Sequence, residues 1–106
     1  MAVPDDVLTR SKIDAELATL PLWRYAGELR TELKCPTSAA ALALFAAIGE
    51  LAQQANHHPD VDWRYDTLII ATSSHDAGGQ VTARDIALAR GISAAAQEAG
   101  AVAAHG

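Results

Sequence analysis

The stretch from Leu29 to Cys35 reads LRTELKC, and along it uncharged side chains alternate with charged ones. A period of two predicts a β-strand with one buried face and one face toward solvent. Gly27 lies just before this strand and Trp23 to Tyr25 lies before Gly27, so we predict a two-stranded hairpin. The hairpin provides one face of a sheet against which the rest of the chain can pack.

A short helix is predicted on the N-terminal side of the hairpin. Ile13, Leu17 and Leu20 have helical spacing, and Pro21 would end the helix. Ser11 followed three residues later by Asp14 resembles a capping box. We therefore expect a helix from Ser11 to Leu20.

A longer helix is predicted directly after the hairpin, beginning near Thr37 and ending near Ala55. Its apolar residues cover nearly the whole circumference, with one stripe formed by Leu42, Phe45, Ile48 and Ala52. Helices without a polar face are usually buried on more than one side. Since the chain is short, we expect the second side to contact a partner subunit.

The remainder of the chain predicts a second pair of strands and a third helix. The strands are expected at 62–65 and 67–74, and the helix begins at Thr82 and ends at Gly100. Paired strands with helices between them indicate an α+β fold in the order α-β-β-α-β-β-α. We expect one domain over residues 1–106, a four-stranded antiparallel sheet, three helices on one face and a flexible tail at 101–106.

Composition and charge narrow the classes of function. The chain has 106 residues and a net charge of −5, and no cluster of Lys or Arg that would favour nucleic acid or an anionic membrane surface. Its longest apolar run, 39–49, is too short to span a bilayer. The N-terminal residues are acidic and do not resemble a signal peptide, and Cys35 has no cysteine partner in the chain. We expect a cytoplasmic protein.

Three histidines are candidates for chemistry. His57 and His58 are adjacent and precede Pro59, and His75 follows the last predicted strand. Imidazole gains and loses protons near neutral pH, which suits acid/base catalysis. Trp63 and Tyr65 are close to them in the sequence and could stack on a flat ligand.

Other interpretations of these residues remain open. Three histidines could form a zinc site, although adjacent histidines seldom point at one metal ion. The pair His57 and His58 could simply end a helix, and Asp85 could serve only as the capping partner of Thr82. Cys35 alternates with core positions and is expected to be packed, and His105 is assigned no role.

A wider pattern joins these residues. It consists of QQANHHPD at 53–60, Tyr65, SHDAGG at 74–79 and Asp85. The pattern closely resembles pterin-4a-carbinolamine dehydratase, also called 4a-hydroxytetrahydrobiopterin dehydratase, and LPLW at 20–23 resembles the Leu-Pro-Gly-Trp of that family. The chain departs from the family at Leu22, at Ser74, in a longer Gly-Gly loop and at Gln53, which replaces an ionisable residue expected near His57.

The resemblance implies dehydration of 4a-hydroxytetrahydropterin to quinonoid dihydropterin, without a metal or other cofactor, by a homodimer or homotetramer. Under that resemblance His57 and His75 form the acid/base pair, while His58 and Asp85 orient the pterin or the neighbouring histidine. The catalytic set is His57, His58, His75 and Asp85, and the substrate-binding set is Gln53, Pro59, Trp63, Tyr65 and Ser74.

Two non-enzymatic functions remain as alternatives. Some relatives act as interaction proteins, either as a dimerisation cofactor for a transcription factor or as an assembly chaperone for the carbon-fixing enzyme. A pterin-binding module without turnover is the other alternative. The retained histidines favour catalysis, whereas Gln53 favours a catalytically weakened member.

Overall fold

The computed structural model describes residues 6–104, and these form three α-helices, five β-strands and one turn of 3-10 helix. In chain order the elements are α1 (Arg10–Leu17), β1 (Arg24–Tyr25), β2 (Leu29–Lys34), α2 (Ser38–Ala55), β3 (Asp60–Arg64), β4 (Thr67–Thr72), the 3-10 turn (His75–Ala77), α3 (Ala83–Glu98) and β5 (Val102–Ala103). The predicted α+β class and the order of the major elements are confirmed. His105 and most of the acidic N-terminus lie outside the described residues.

The sheet is antiparallel and centred on β2 and β4. These strands pair over six residues, from Leu29 opposite Thr72 to Lys34 opposite Thr67. β3 pairs with the other edge of β4, and β1 and β5 share the outer edge of β2. The alternation in β2 is as predicted, because Leu29, Thr31 and Leu33 are buried whereas the charged residues between them are not.

The helices cover the buried face of the sheet and enclose one hydrophobic core. α2 packs on β3 and β4, α3 packs on β2, and the two helices contact each other. Their close approach depends on Gly91, where a Cβ atom would lie 3.3 Å from a methyl group of Leu51. Cys35 is packed in this core, as expected.

Two details of the helices differ from the sequence-based expectation. α1 begins after Thr9, whose hydroxyl accepts the Lys12 N–H at 3.2 Å, so the cap lies two residues before Ser11. In α2 the buried stripe is Ala41, Leu44, Ile48 and Ala52, while Leu42 is 50% exposed. The stripe toward the sheet therefore runs through Leu44 rather than Leu42.

The C-terminal residues also differ from expectation. Val102 and Ala103 form β5 opposite Lys34 and Leu33, and the Ala104 N–H donates to the Glu32 carbonyl at 2.8 Å. β1 covers only the beginning of β2, which leaves main-chain groups near its end free to pair. Residues 101–104 of the expected tail are thus attached to the sheet, which has five strands among the described residues rather than the four expected. Between residues 6 and 104, no helix has the length and apolar character required to span a membrane.

Candidate active site

Two adjacent histidines follow the end of α2, and their side chains lie in different environments. Asn56 caps the helix in the left-handed conformation, with φ of 49° and ψ of 43°, a region that Asn tolerates better than most residues. The His57 N–H then donates to the Ala52 carbonyl at 3.1 Å. This reversal brings His57 into the interior against α3 and leaves His58 exposed beside α2.

His57 binds Asp85 in the interior. Nε2 of His57 lies 2.6 Å from Oδ1 of Asp85; His57 is 8% exposed and Asp85 is fully buried. Asp85 is the third residue of α3, where its other oxygen, Oδ2, accepts the main-chain N–H of Thr82 at 2.9 Å. The capping interpretation of Asp85 is therefore correct, and the same carboxylate also contacts a candidate catalytic histidine.

Two buried hydroxyl groups complete the surroundings of Asp85. Thr72 donates to Oδ1 at 2.6 Å, and Ser74 donates to Oδ2 at 2.8 Å. Burial raises the pKa of Asp85, but the hydrogen bonds from Thr72, His57, the Thr82 N–H and Ser74 outweigh it. The pKa of Asp85 is therefore below its usual value, and the group is a buried carboxylate surrounded by donors.

His58 has an open environment and a neutral partner. Its Nε2 lies 2.7 Å from Oε1 of Gln53, one turn back along α2. The expectation that residue 53 lies by His57 is therefore wrong, because the turn at Asn56 carries His57 away from that face of the helix. The pair borders a groove of about 330 Å³ whose walls are mostly apolar: Phe45, Ile48, Gly49, Ala52, Gln53, His58, Pro59 and Val61.

His75 lies on the exposed side of a short loop that begins at Ser74. The loop closes on Ser74, which accepts the Gly79 N–H at 2.9 Å and donates its own N–H to Gln80 at 3.0 Å. Gly78 and Gly79 have φ of 69° and 82°, which a side chain would disfavour. Ser74 thus points inward to Asp85 while His75 is exposed, and no hydrogen bond among residues 6–104 joins His75 to the other histidines.

The two aromatic candidates occupy different places. Trp63 packs edge-on against Phe45, with ring centroids 6.4 Å apart, and so lies near the groove beside His58. Tyr65 is 76% exposed at the turn between β3 and β4. The five steps along the chain from Asp60 to Tyr65 span about 16 Å at roughly 3.3 Å per strand residue. Tyr65 is therefore at the opposite end of β3 from the histidine pair.

Arg84 is a neighbour of His57 that the sequence analysis did not identify. The two residues line a second cavity of about 330 Å³ between α2 and α3. The guanidinium binds Asp6 at 2.7 Å and Asp76 at 3.0 Å, and the hydrogen bond from Arg84 holds the pKa of Asp6 below its usual value. Thr72 also escaped notice, since its alternation with Leu68 and Ile70 indicates only a core position.

The predicted site residues thus form a buried cluster and an open one. His57, Ser74 and Asp85 are brought together inside, and Gln53, His58 and Pro59 lie together at the groove. Within the described part of the chain, no three His, Cys, Asp or Glu side chains converge as a metal site would require.

Comparison with known proteins identifies the class. The sequence model of the family described as pterin 4 alpha carbinolamine dehydratase matches residues 6–95. The chain belongs to this family. A relative from Mycolicibacterium smegmatis is 39% identical over 87 residues, covering 81% of this chain and 92% of the relative. One from Mycobacterium tuberculosis strain H37Rv is 42% identical over 89 residues, covering 83% and 94%. Both are provisionally described as pterin-4-alpha-carbinolamine dehydratases.

A solved structure shares the fold. It is described as a transcriptional coactivator/pterin dehydratase from Brucella melitensis. The TM-score is 0.81 at 24% sequence identity, and the match covers 86% of this chain and 99% of the other. At that identity the likeness supports the α+β fold.

Proposed function

We propose that this protein dehydrates 4a-hydroxytetrahydropterin to quinonoid dihydropterin, as a hydro-lyase in the recycling of tetrahydrobiopterin. The C4a–O bond breaks, and the hydroxyl group takes up a proton and leaves as water. The N5 proton passes to a base, and its electron pair forms the C4a–N5 double bond. The reaction needs one acid and one base and consumes no oxidant or reductant.

The observation that carries this proposal is the buried pair of His57 and Asp85, 2.6 Å apart. A carboxylate that holds one nitrogen of an imidazole fixes the ring and leaves the other nitrogen available for proton transfer. His57 also lines a cavity, so this ring is in reach of a small molecule. Membership of the dehydratase family supports a pterin as that molecule.

The remaining roles follow from position. We assign the second proton transfer to His75, which is exposed one residue after Ser74. We assign substrate binding to the end of α2, which is bordered both by the cavity of His57 and by the groove with Gln53, His58, Pro59 and Trp63, whose apolar walls suit a flat ring. Ser74 contributes by donating a hydrogen bond to Asp85. Tyr65 is proposed as a substrate contact at the end of β3 that lies away from the histidines.

A dehydratase assay tests the proposal directly. 4a-Hydroxytetrahydrobiopterin would be made in situ, and formation of quinonoid dihydropterin compared with the uncatalysed rate. Replacing His57 or His75 by Ala should each lower the rate at least ~100-fold if both transfer protons. His105→Ala is the matched histidine control and should retain the wild-type rate. Wild-type turnover in either active-site variant would remove that histidine from the mechanism.

A catalytically weakened member with a binding role is the second candidate, because Gln53 gives His58 a neutral partner in place of an ionisable one. The assay separates the two functions when wild type is compared with Gln53→Glu. Dehydratase activity in the variant but not in wild type would indicate a natural protein that binds pterin without turnover. The absence of activity in both proteins would favour a pterin-binding module or an interaction protein, which a pull-down would then distinguish.

We further propose a homodimer or homotetramer located in the cytoplasm. The outer face of α2 supports self-association, since Leu42 is half exposed among the exposed alanines 39, 43 and 46. The free, buried thiol of Cys35 is consistent with a reducing compartment. Light scattering should show an oligomer at micromolar concentration and a smaller species for Leu42→Glu. A monomeric wild type would contradict the proposal.

A further inference from the structure

The direction of each hydrogen bond to the Asp85 carboxylate follows from the chemistry of its partner. An ionised carboxylate only accepts hydrogen bonds, so Thr72, Ser74 and His57 must all donate to it. The fourth donor, the main-chain N–H of Thr82, can neither rotate nor reverse its role. Both oxygens of Asp85 are thus occupied by donors.

The second layer of the network agrees with this assignment. The Thr82 hydroxyl accepts the main-chain N–H of Arg84 at 3.2 Å and lies 2.8 Å from the Ser74 hydroxyl. Because Ser74 uses its one hydrogen on Asp85, the Thr82 hydroxyl donates either to Ser74 or to Oδ2 of Asp85, which lies 3.4 Å away. In both arrangements Oδ1 of Asp85 only accepts, so the assignment requires a proton on Nε2 of His57.

We propose that Asp85, anchored by the main-chain N–H of Thr82, acts as a positioning residue that fixes His57 as its Nε2–H tautomer, so that His57 exchanges protons with a ligand only through Nδ1. The last part rests on the proposed function. His57 is nine-tenths buried, and no group in residues 6–104 hydrogen-bonds its Nδ1. The ring borders the cavity between α2 and α3, so the unpaired nitrogen has a place for a ligand.

The charged groups around His57 do not determine the tautomer. Asp6 of the N-terminal segment lies near enough to interact with His57 through its charge, and Arg84 of α3 lines the same cavity. Asp76 of the 3-10 turn reaches this region through its ion pair with Arg84. Among the described residues only Asp85 hydrogen-bonds the His57 ring, so we assign the tautomer to Asp85 and to the Thr82 N–H that anchors it.

The experiment is NMR of protein labelled with ¹⁵N in its histidines, at mildly alkaline pH where free imidazole is neutral. Long-range proton–nitrogen correlations report which ring nitrogen carries hydrogen, and the signal lost in His57→Gln identifies the ring. Wild type should show Nε2–H at His57. Asp85→Asn should switch it to Nδ1–H, because the amide oxygen must face the Thr82 N–H and its NH₂ group then faces His57.

Thr72→Val is the matched control. It removes a rotatable donor but keeps the Thr82 N–H, so the Nε2–H tautomer should persist. In the dehydratase assay Asp85→Asn should lower kcat at least ~100-fold with a much smaller change in KM, whereas Thr72→Val should retain most of kcat.

Nδ1–H in wild type, or an unchanged tautomer in a folded Asp85→Asn variant, would overturn the inference. If Asp85→Asn does not fold, the tautomers of wild type and Thr72→Val decide it. The expected tautomers in a protein without dehydratase activity would uphold the tautomer assignment while removing the proposed function. An active enzyme with the other tautomer would uphold the function and remove this inference.

Discussion

His57 and His58 are consecutive in the chain and have opposite surroundings. His57 is buried with a carboxylate that three further donor residues hold in place, whereas His58 is exposed with a neutral amide. One residue in the left-handed conformation, Asn56, separates these environments. The difference shows that a His-His pair can supply one rigid group and one adaptable group at the same helix end.

The largest effect should come from removing the anchor of the buried pair. Asp85→Ala would leave His57, Thr72 and the Thr82 N–H without a partner, and each buried donor left unpaired costs about 1–3 kcal/mol. Urea unfolding would measure the loss. Gln53→Ala, which removes the partner of His58 in the open cluster, should change stability by less than about 0.5 kcal/mol. Equal losses would erase the distinction between the clusters.

A smaller difference is expected between the histidines themselves. His57→Ala deprives the buried Asp85 of one donor and should cost about 2–3 kcal/mol. His58→Ala breaks only an exposed contact and should cost less than about 1 kcal/mol. Thermal or urea unfolding of the two variants under one set of conditions would check the order. A more destabilising His58→Ala would show that the open cluster supports the fold.

Acid unfolding should reveal the lowered pKa of Asp85 in the buried cluster. The pKa of Asp85 is lowered in the folded state, so its contribution is complete above the unfolded value of about 3.9 and disappears as pH falls through the lower folded value. Thr72→Val removes a donor to this carboxylate, so acid unfolding should begin at a higher pH than in wild type.

Thr31→Val is the matched control for the acid experiment. Thr31 is also fully buried, but its hydroxyl donates to the Leu22 carbonyl, which does not titrate in this range. This variant should lose stability by a similar amount at every pH. If both variants shifted alike with pH, the donors around Asp85 would not be the cause.

The smallest effect is expected from giving His58 a charged partner. Gln53→Glu places a carboxylate where the amide oxygen now lies 2.7 Å from Nε2 of His58. Exposed ion pairs contribute about 0–1 kcal/mol, and less in high salt. Stability should therefore rise only slightly, and the gain should fade with added salt. A gain that persists in high salt would contradict an exposed pair.

The sequence predicted the elements better than it predicted their contacts. The alternation from Leu29 to Cys35 and the helix from Thr37 to Ala55 carry strong periodic signals, and both are present. β5 has only two residues, too few for a period, and it exists because β2 offers a free edge. The predicted cap of α1 is wrong because the sequence allows either Ser11 or Thr9 as the cap. Only the structure shows that the Thr9 hydroxyl accepts the Lys12 N–H.

In the candidate site, too, the sequence predicts the local contacts but not the long-range ones. Thr82 and Asp85 form the capping box that the spacing indicates, but this uses one carboxylate oxygen. The other oxygen binds His57, 28 positions earlier in the chain, which local spacing cannot predict. Gln53 was assigned to the wrong histidine because the direction of the chain after α2 depends on the dihedral angles of Asn56.

The contacts between the N-terminal segment and the start of α3 have a consequence for the order of folding during synthesis. Asp6 and Arg84 bind each other across 78 positions, the Ala83 N–H donates to the Asp6 carbonyl, and Val7 pairs with Thr82 beside Asp85. Contacts so distant in sequence form late, after shorter loops have closed. Most of the chain must therefore leave the ribosome before Asp85 meets His57, so a nascent chain carries its histidines long before it has an assembled site.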